Sequence, residues 1–188
     1  YRVNVPAGLS AAEVPLLLSL HGFGSTGTQD EQFTGWTPFA AAKGFIVAYP
    51  QGQGTAWSGA WDPYSPGTAD VAFLRAVVED IAATWCVDPR RIHVDGWSNG
   101  AVMSQRAACD AADLFASVTS YAGGSPTAAG TAAPCRPSRP IAVGLIVGQL
   151  DFTYGGLAQN AAEWRTLNAC SATPARSSDT YGTQDLYP

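Results

Sequence analysis

Apolar positions in this chain change their period from one stretch to the next, and the changes mark alternating strands and helices. Residues 14–20, VPLLLSL, form a continuous apolar run, the pattern of a strand covered on both faces. Residues 70–86, DVAFLRAVVEDIAATWC, repeat Val71, Leu74, Val78, Ile81 and Trp85 at spacings of three and four. That spacing makes one apolar stripe on a helix, with Asp70 as the expected N-cap. Residues 91–95 alternate apolar and polar like a short strand, and residues from 101 onward read as a helix. Residues 45–49, 115–121 and 140–147 are further predicted strands, the last of them buried. Residues 36–43, closed by Gly44, and 157–170, with Ala161, Trp164 and Leu167 on one side, are predicted helices. Residues 1–6 give a weak edge-strand signal ended by Pro6. Strands alternating with helices at these lengths predict an α/β fold, a mostly parallel sheet with helices on both faces. Neither an internal repeat nor a linker divides the chain, so one domain over residues 1–188 is expected.

The junction between the strand at 91–95 and the helix from 101 carries the chemistry. Gly96-Trp97-Ser98-Asn99-Gly100 spells G-x-S-x-G, the signature of a nucleophile elbow, in which a serine on a very tight turn presents its hydroxyl clear of the sheet. Glycines two residues either side let strand and helix approach without Cβ clashes. In a glycine-rich chain the pentapeptide alone recurs by chance. Its place at a strand-to-helix junction is what the mechanism requires, so Ser98 is the candidate nucleophile.

Two other loops fall at the same end of the sheet. The strand at 14–20 delivers His21-Gly22-Phe23-Gly24 at its carboxyl end, where ligands bind in open α/β sheets. The backbone amides of Phe23 and Asn99 are the expected oxyanion hole. Asp151 follows the last clear strand in GQLDFTYGG, and in the order Ser, acid, His it fits as the acid. Residues 51–68 are rich in Gly, Pro, Ser, Trp and Tyr without a regular period, and a loop this long in a compact domain is usually functional. Trp57, Trp61 and Tyr64 there, with Trp97 beside the candidate serine, are candidate substrate-binding residues. The alternative is that the loop aromatics cover one end of the sheet.

The expected base is a histidine after Asp151, and the sequence has none; its two histidines are His21 and His93. His93 lies five residues before Ser98 on an extended strand, roughly 16 Å down the sheet, and is expected to be structural. His21 is at the right end, but in the junction that should supply the oxyanion hole. The expectation is a chain that stops short of the last strand and the histidine loop.

Composition narrows the setting. A net charge of -5 argues against nucleic acid or an anionic membrane as partner, and no apolar run reaches the roughly 18 to 20 residues that span a bilayer. Lysine is almost absent, and the four cysteines contain no C-x-x-C pair, which suits a secreted chain with disulfides rather than a zinc site. Cys86, Cys109, Cys135 and Cys170 allow three full pairings. Cys109 follows the elbow helix and Cys135 lies in the Pro-rich loop after the next strand, so that pair is expected and the other two stay open.

The motifs LLLSLHGFGSTG, IVAYPQG, DVAFLRAVVEDI and VDPRRIHVDGWSNGAVM, with the Asp151 loop and Gly155-Gly156, occur in that order. Together, from about residue 14 to 170, they resemble the secreted esterases that include feruloyl esterases, acetylxylan esterases and polyhydroxybutyrate depolymerases. The resemblance implies an α/β-hydrolase fold, no metal or other cofactor, a Ser98 nucleophile, an Asp151 acid and an oxyanion hole near Phe23 and Asn99. Asn99 stands where many relatives have alanine. The family's histidine lies in a Gly-rich segment followed by Trp-Pro, after the position matching Cys170, and nothing here matches it. The expected protein is a secreted, monomeric serine carboxylic ester hydrolase. Its expected substrate is an ester, small or polymeric: feruloylated or acetylated xylan first, polyhydroxyalkanoate second. The rival is a hydrolase-shaped binding module, because loss of a triad histidine costs on the order of 10⁶ in turnover.

Overall fold

The computed structural model describes residues 1–9, 13–53, 60–65, 69–127 and 134–188. Its centre is a six-stranded sheet of order β1-β3-β2-β4-β5-β6. The strands are β1 (Arg2–Asn4), β2 (Val14–Leu20), β3 (Ile46–Tyr49), β4 (Val87–Trp97), β5 (Ser117–Tyr121) and β6 (Ala142–Ile146). β1 runs antiparallel to β3; every other pairing is parallel. Helices α1 (Gly27–Thr34), α2 (Trp36–Lys43), α3 (Ala69–Thr84), α4 (Asn99–Asp110) and α5 (Leu157–Leu167) connect and cover it. This is the α/β-hydrolase fold.

Period-two alternation along the inner strands divides the core between the two faces. Leu16, Leu18 and Leu20 of β2 pack with Ile92 and Val94 of β4, with Val71, Leu74, Val78 and Ile81 of α3, and with Met103 of α4 and Trp164 of α5. The intervening Leu17 packs with Val47 and Tyr49 of β3 and Ala40 of α2 on the other face. Each fully buried Leu or Ile of this kind contributes about 1.5–3 kcal/mol relative to exposure.

Several sequence expectations are corrected. Trp85 lies beyond α3 and is exposed, so the stripe ends at Ile81. Asp70 is the second residue of α3 rather than its cap, and its carboxylate accepts from the Asp62 amide at 2.7 Å. β6 is not buried: it is the outermost strand of the sheet among the described residues, and its residues are half-exposed or exposed. Helix α1 has no apolar stripe to announce it, since its buried residues are Gly27 and Asp30. Strands β7 (Ala175–Ser178) and β8 (Thr183–Leu186) form a separate exposed antiparallel hairpin. Cys109 and Cys135 form a disulfide, as expected, while Cys86 and Cys170 are unpaired.

Candidate active site

β4 and α4 meet at Ser98, which adopts φ 55°, ψ −118°. A non-glycine residue with positive φ is strained, and the surroundings hold it there. Its amide donates to Tyr121 O at 2.9 Å, and its carbonyl accepts from the Ala101 and Val102 amides at 3.1 and 3.2 Å. The flanking glycines leave no space for a side chain. A Cβ on Gly96 would stand 2.4 Å from Gly100 O, and one on Gly100 would stand 2.1 Å from Leu20 O. The turn therefore tucks under the end of β2, with Ser98 half-exposed and the first amides of α4, Asn99 included, lacking acceptors within the helix.

The loop after β2 lies beside it. Ser25 N donates to Gly22 O at 3.1 Å, and Gly24 has φ 73°, so residues 22–25 make a tight turn. His21 anchors that turn from below. Its buried Nδ1 donates to Gly22 O at 2.8 Å, so Nε2 is the acceptor for the Gly52 amide at 3.0 Å. Burial holds its pKa below the usual histidine range. With both nitrogens engaged it cannot take a proton from Ser98. His93 is also committed, with Nδ1 2.8 Å from Ser117 Oγ.

Asp151 follows β6 at the same carboxyl end of the sheet as Ser98, because Trp97, Tyr121 and Ile146 are in register across β4, β5 and β6. Thr153 donates to Asp151 Oδ1 through its amide at 2.8 Å and its hydroxyl at 2.6 Å. Those bonds hold the carboxyl below the usual carboxylate range, so it is charged at neutral pH.

The predicted aromatic wall is redistributed. Trp97 lines an open cleft with Phe23, Gly24, Ser25, Gln29 and Phe33, and its ring lies 5.4 Å from that of Phe33. Phe23 is 61% and Phe33 74% exposed, large apolar faces left free in this cleft. Trp61 is instead 3% exposed: its indole donates to His21 O at 2.9 Å and its ring packs 5.1 Å from the His21 ring. That burial replaces the cleft-lining position expected for it. Asn99 fixes the Trp61 backbone from α4, with Oδ1 accepting from Trp61 N at 2.8 Å and Nδ2 donating to Trp61 O at 3.3 Å. Tyr64 is exposed, with its amide bonded to Asp62. Trp57 lies outside the described residues. Gln29 and Phe33 were missed by sequence reading, although Thr26 caps α1 by accepting from the Gln29 amide, and Thr-x-x-Gln is a readable helix start.

A model of the prolyl oligopeptidase family matches residues 31–129, just over half of the chain and the part that holds the elbow. The chain belongs to this family. A putative esterase, NocK, of Nocardia uniformis subsp. tsuyamanensis, is 36% identical over 80% of this chain and 44% of that protein. Feruloyl esterase B of Piromyces equi is 28% identical over 92% of this chain and 36% of that one. The chain thus spans less than half the length of these curated relatives. An acetyl xylan esterase from Aspergillus awamori shares the fold, with a TM-score of 0.79 at 16% identity over 99% of this chain and 82% of that one. The relatives named here include a feruloyl esterase, one of the groups that the chain's motifs resemble.

Proposed function

We propose that this protein is a secreted serine carboxylic ester hydrolase, with Ser98 as nucleophile, Asp151 as the acid of the triad and the amides of Phe23 and Asn99 as the oxyanion hole. The observation that carries the reading is Ser98 itself, held at positive φ between two glycines that admit no Cβ, a strain of the kind that persists where function uses it. Ser98 attacks the ester carbonyl; its proton passes to an imidazole, which returns it to the departing alcohol, and water then releases the acid. The base is neither His21 nor His93, and the reading assigns it to a histidine outside residues 1–188. β4 and β6 are two strand spacings apart, roughly 10 Å, a gap in which an imidazole bonded on both nitrogens fits.

The exposed Phe23 and Phe33, with the half-buried Trp97 in the same cleft, favour a phenolic or other flat acyl group, so feruloylated or acetylated xylan leads and polyhydroxyalkanoate follows. The Cys109–Cys135 disulfide supports an oxidising, extracellular setting. Steady-state hydrolysis of feruloyl, acetyl and 3-hydroxybutyrate esters tests the substrate class: turnover led by the feruloyl ester, and lost in Ser98→Ala, is expected. Equal turnover by the Ser98→Ala variant would overturn the assignment. The engagement of both histidines favours one other reading, a non-catalytic binding module on the same frame, for which no ester would be turned over.

A further inference from the structure

On the α1/α2 face of the sheet two carboxyls and two indoles are exchanged between elements. Asp95 and Trp97 are two residues apart on β4 and so share a face. Trp97 Nε1 donates to Asp30 Oδ1 on α1 at 2.9 Å, and Trp36 Nε1 at the start of α2 donates to Asp95 Oδ2 at 2.8 Å. Asp30 is fully buried and Asp95 nearly so, and no arginine or lysine pairs with either among the described residues. Burial raises the pKa of both, offset in part by the Ser19 hydroxyl beside them and by the indoles.

Apolar residues would fill this volume at lower cost, since a buried carboxyl without a cation is expensive. What the carboxyl adds is direction. An indole packed only by its faces can slide, whereas one whose N–H is held cannot. For Trp97 this matters at a second contact: a Cβ on Gly22 would lie 2.6–2.9 Å from three atoms of the Trp97 ring. The ring is therefore wedged between Asp30 and the turn at residues 22–25. It is also the residue immediately before Ser98.

We propose that Asp30 is a positioning residue for the oxyanion loop: by fixing the Trp97 indole against Gly22, it sets where the Phe23 amide stands relative to Ser98 and Asn99. The inference rests on the esterase reading for its catalytic consequence, but its structural content stands apart from it. Asp30 does not touch substrate. Its effect falls on the transition state, where misplacement of a donor is felt.

The test uses Asp30→Ala, which removes the acceptor, Trp97→Phe, which keeps a ring against Gly22 but removes the N–H, their combination, and Asp30→Asn, which keeps an Oδ1 acceptor. Hydrogen exchange of the amides at residues 22–25 is expected to quicken about tenfold in Asp30→Ala and Trp97→Phe, no further in the double variant, and within about twofold of the parent in Asp30→Asn. In active enzyme carrying Asp30→Ala, which leaves the Trp97 side chain in the cleft, kcat falls about tenfold with KM nearly constant, and affinity for a trifluoromethyl ketone falls in parallel. Unchanged exchange at residues 22–25, additive quickening of exchange in the double variant, or a change in Asp30→Ala confined to KM would overturn the proposal. Quickened exchange in the Asp30→Ala and Trp97→Phe variants of a protein whose Ser98 is inert would support the positioning role and sink the esterase reading alone.

Discussion

Ser98 donates its amide to Tyr121 O across 2.9 Å while standing at φ 55°. The bond carries the β4–β5 ladder one residue past the Trp97–Tyr121 pair, so the sheet itself holds the strained residue. Strain of this kind costs on the order of 1–3 kcal/mol, and the surrounding fold must over-determine it.

The flanking glycines are the most exacting part of that fit. Gly100→Ala would place a methyl 2.1 Å from Leu20 O, a backbone atom in the central strand that cannot rotate away. A stability loss of about 3 kcal/mol is expected, measured by urea unfolding. A loss below about 1 kcal/mol would show that β2 and α4 are less tightly juxtaposed than described.

Arg106 should be the costliest polar residue to remove. Its fully buried guanidinium donates to Pro63 O at 2.9 Å, Pro126 O at 3.2 Å and Pro134 O at 3.4 Å, and pairs with Asp110 at 3.3 Å. One side chain of the elbow helix thereby ties down segments from three parts of the chain. Arg106→Leu takes the shared donor from all of them, and about 3 kcal/mol of stability should go with it. Chemical denaturation measures it.

Asp95 gives stability a pH dependence whose sign is fixed. Burial pushes its carboxyl up to about 7, with the charge of Asp30 adding to the rise. Between about pH 4, where an unfolded aspartate ionises, and 7 the folded state binds the extra proton. Asp95's contribution is thus complete below this window and is lost as pH rises through it. His21, whose pKa burial lowers, acts in the opposite sense over part of the range. The parent is therefore compared with Asp95→Asn. The stability of the parent minus that of the variant should fall from pH 4 to 7, and a rise would contradict the assignment.

How much of this was legible in the sequence depended on how local each cause is. The elbow was readable because five consecutive residues contain its whole geometry, and α3 because its stripe repeats within one helix. The position of β6 was not, because PIAVGLIV reads as buried until the strand order places it at an edge. Trp61 was misplaced for a similar reason: what buries it is His21 O, forty residues away in sequence. Helix α1 escaped because it buries a glycine and an aspartate instead of an apolar stripe. Its cap was nonetheless visible as Thr26 and Gln29, and with it Phe33 would have joined the aromatic wall.

The central claim is that Ser98 is an activated nucleophile, and covalent labelling tests it most directly. The intact protein would be treated with a fluorophosphonate, its mass measured, and the adduct mapped by peptide analysis. A single adduct on the peptide containing Ser98, absent in Ser98→Ala, is the predicted result. No adduct, or one on another serine, would contradict the account and leave a hydrolase-shaped binding module.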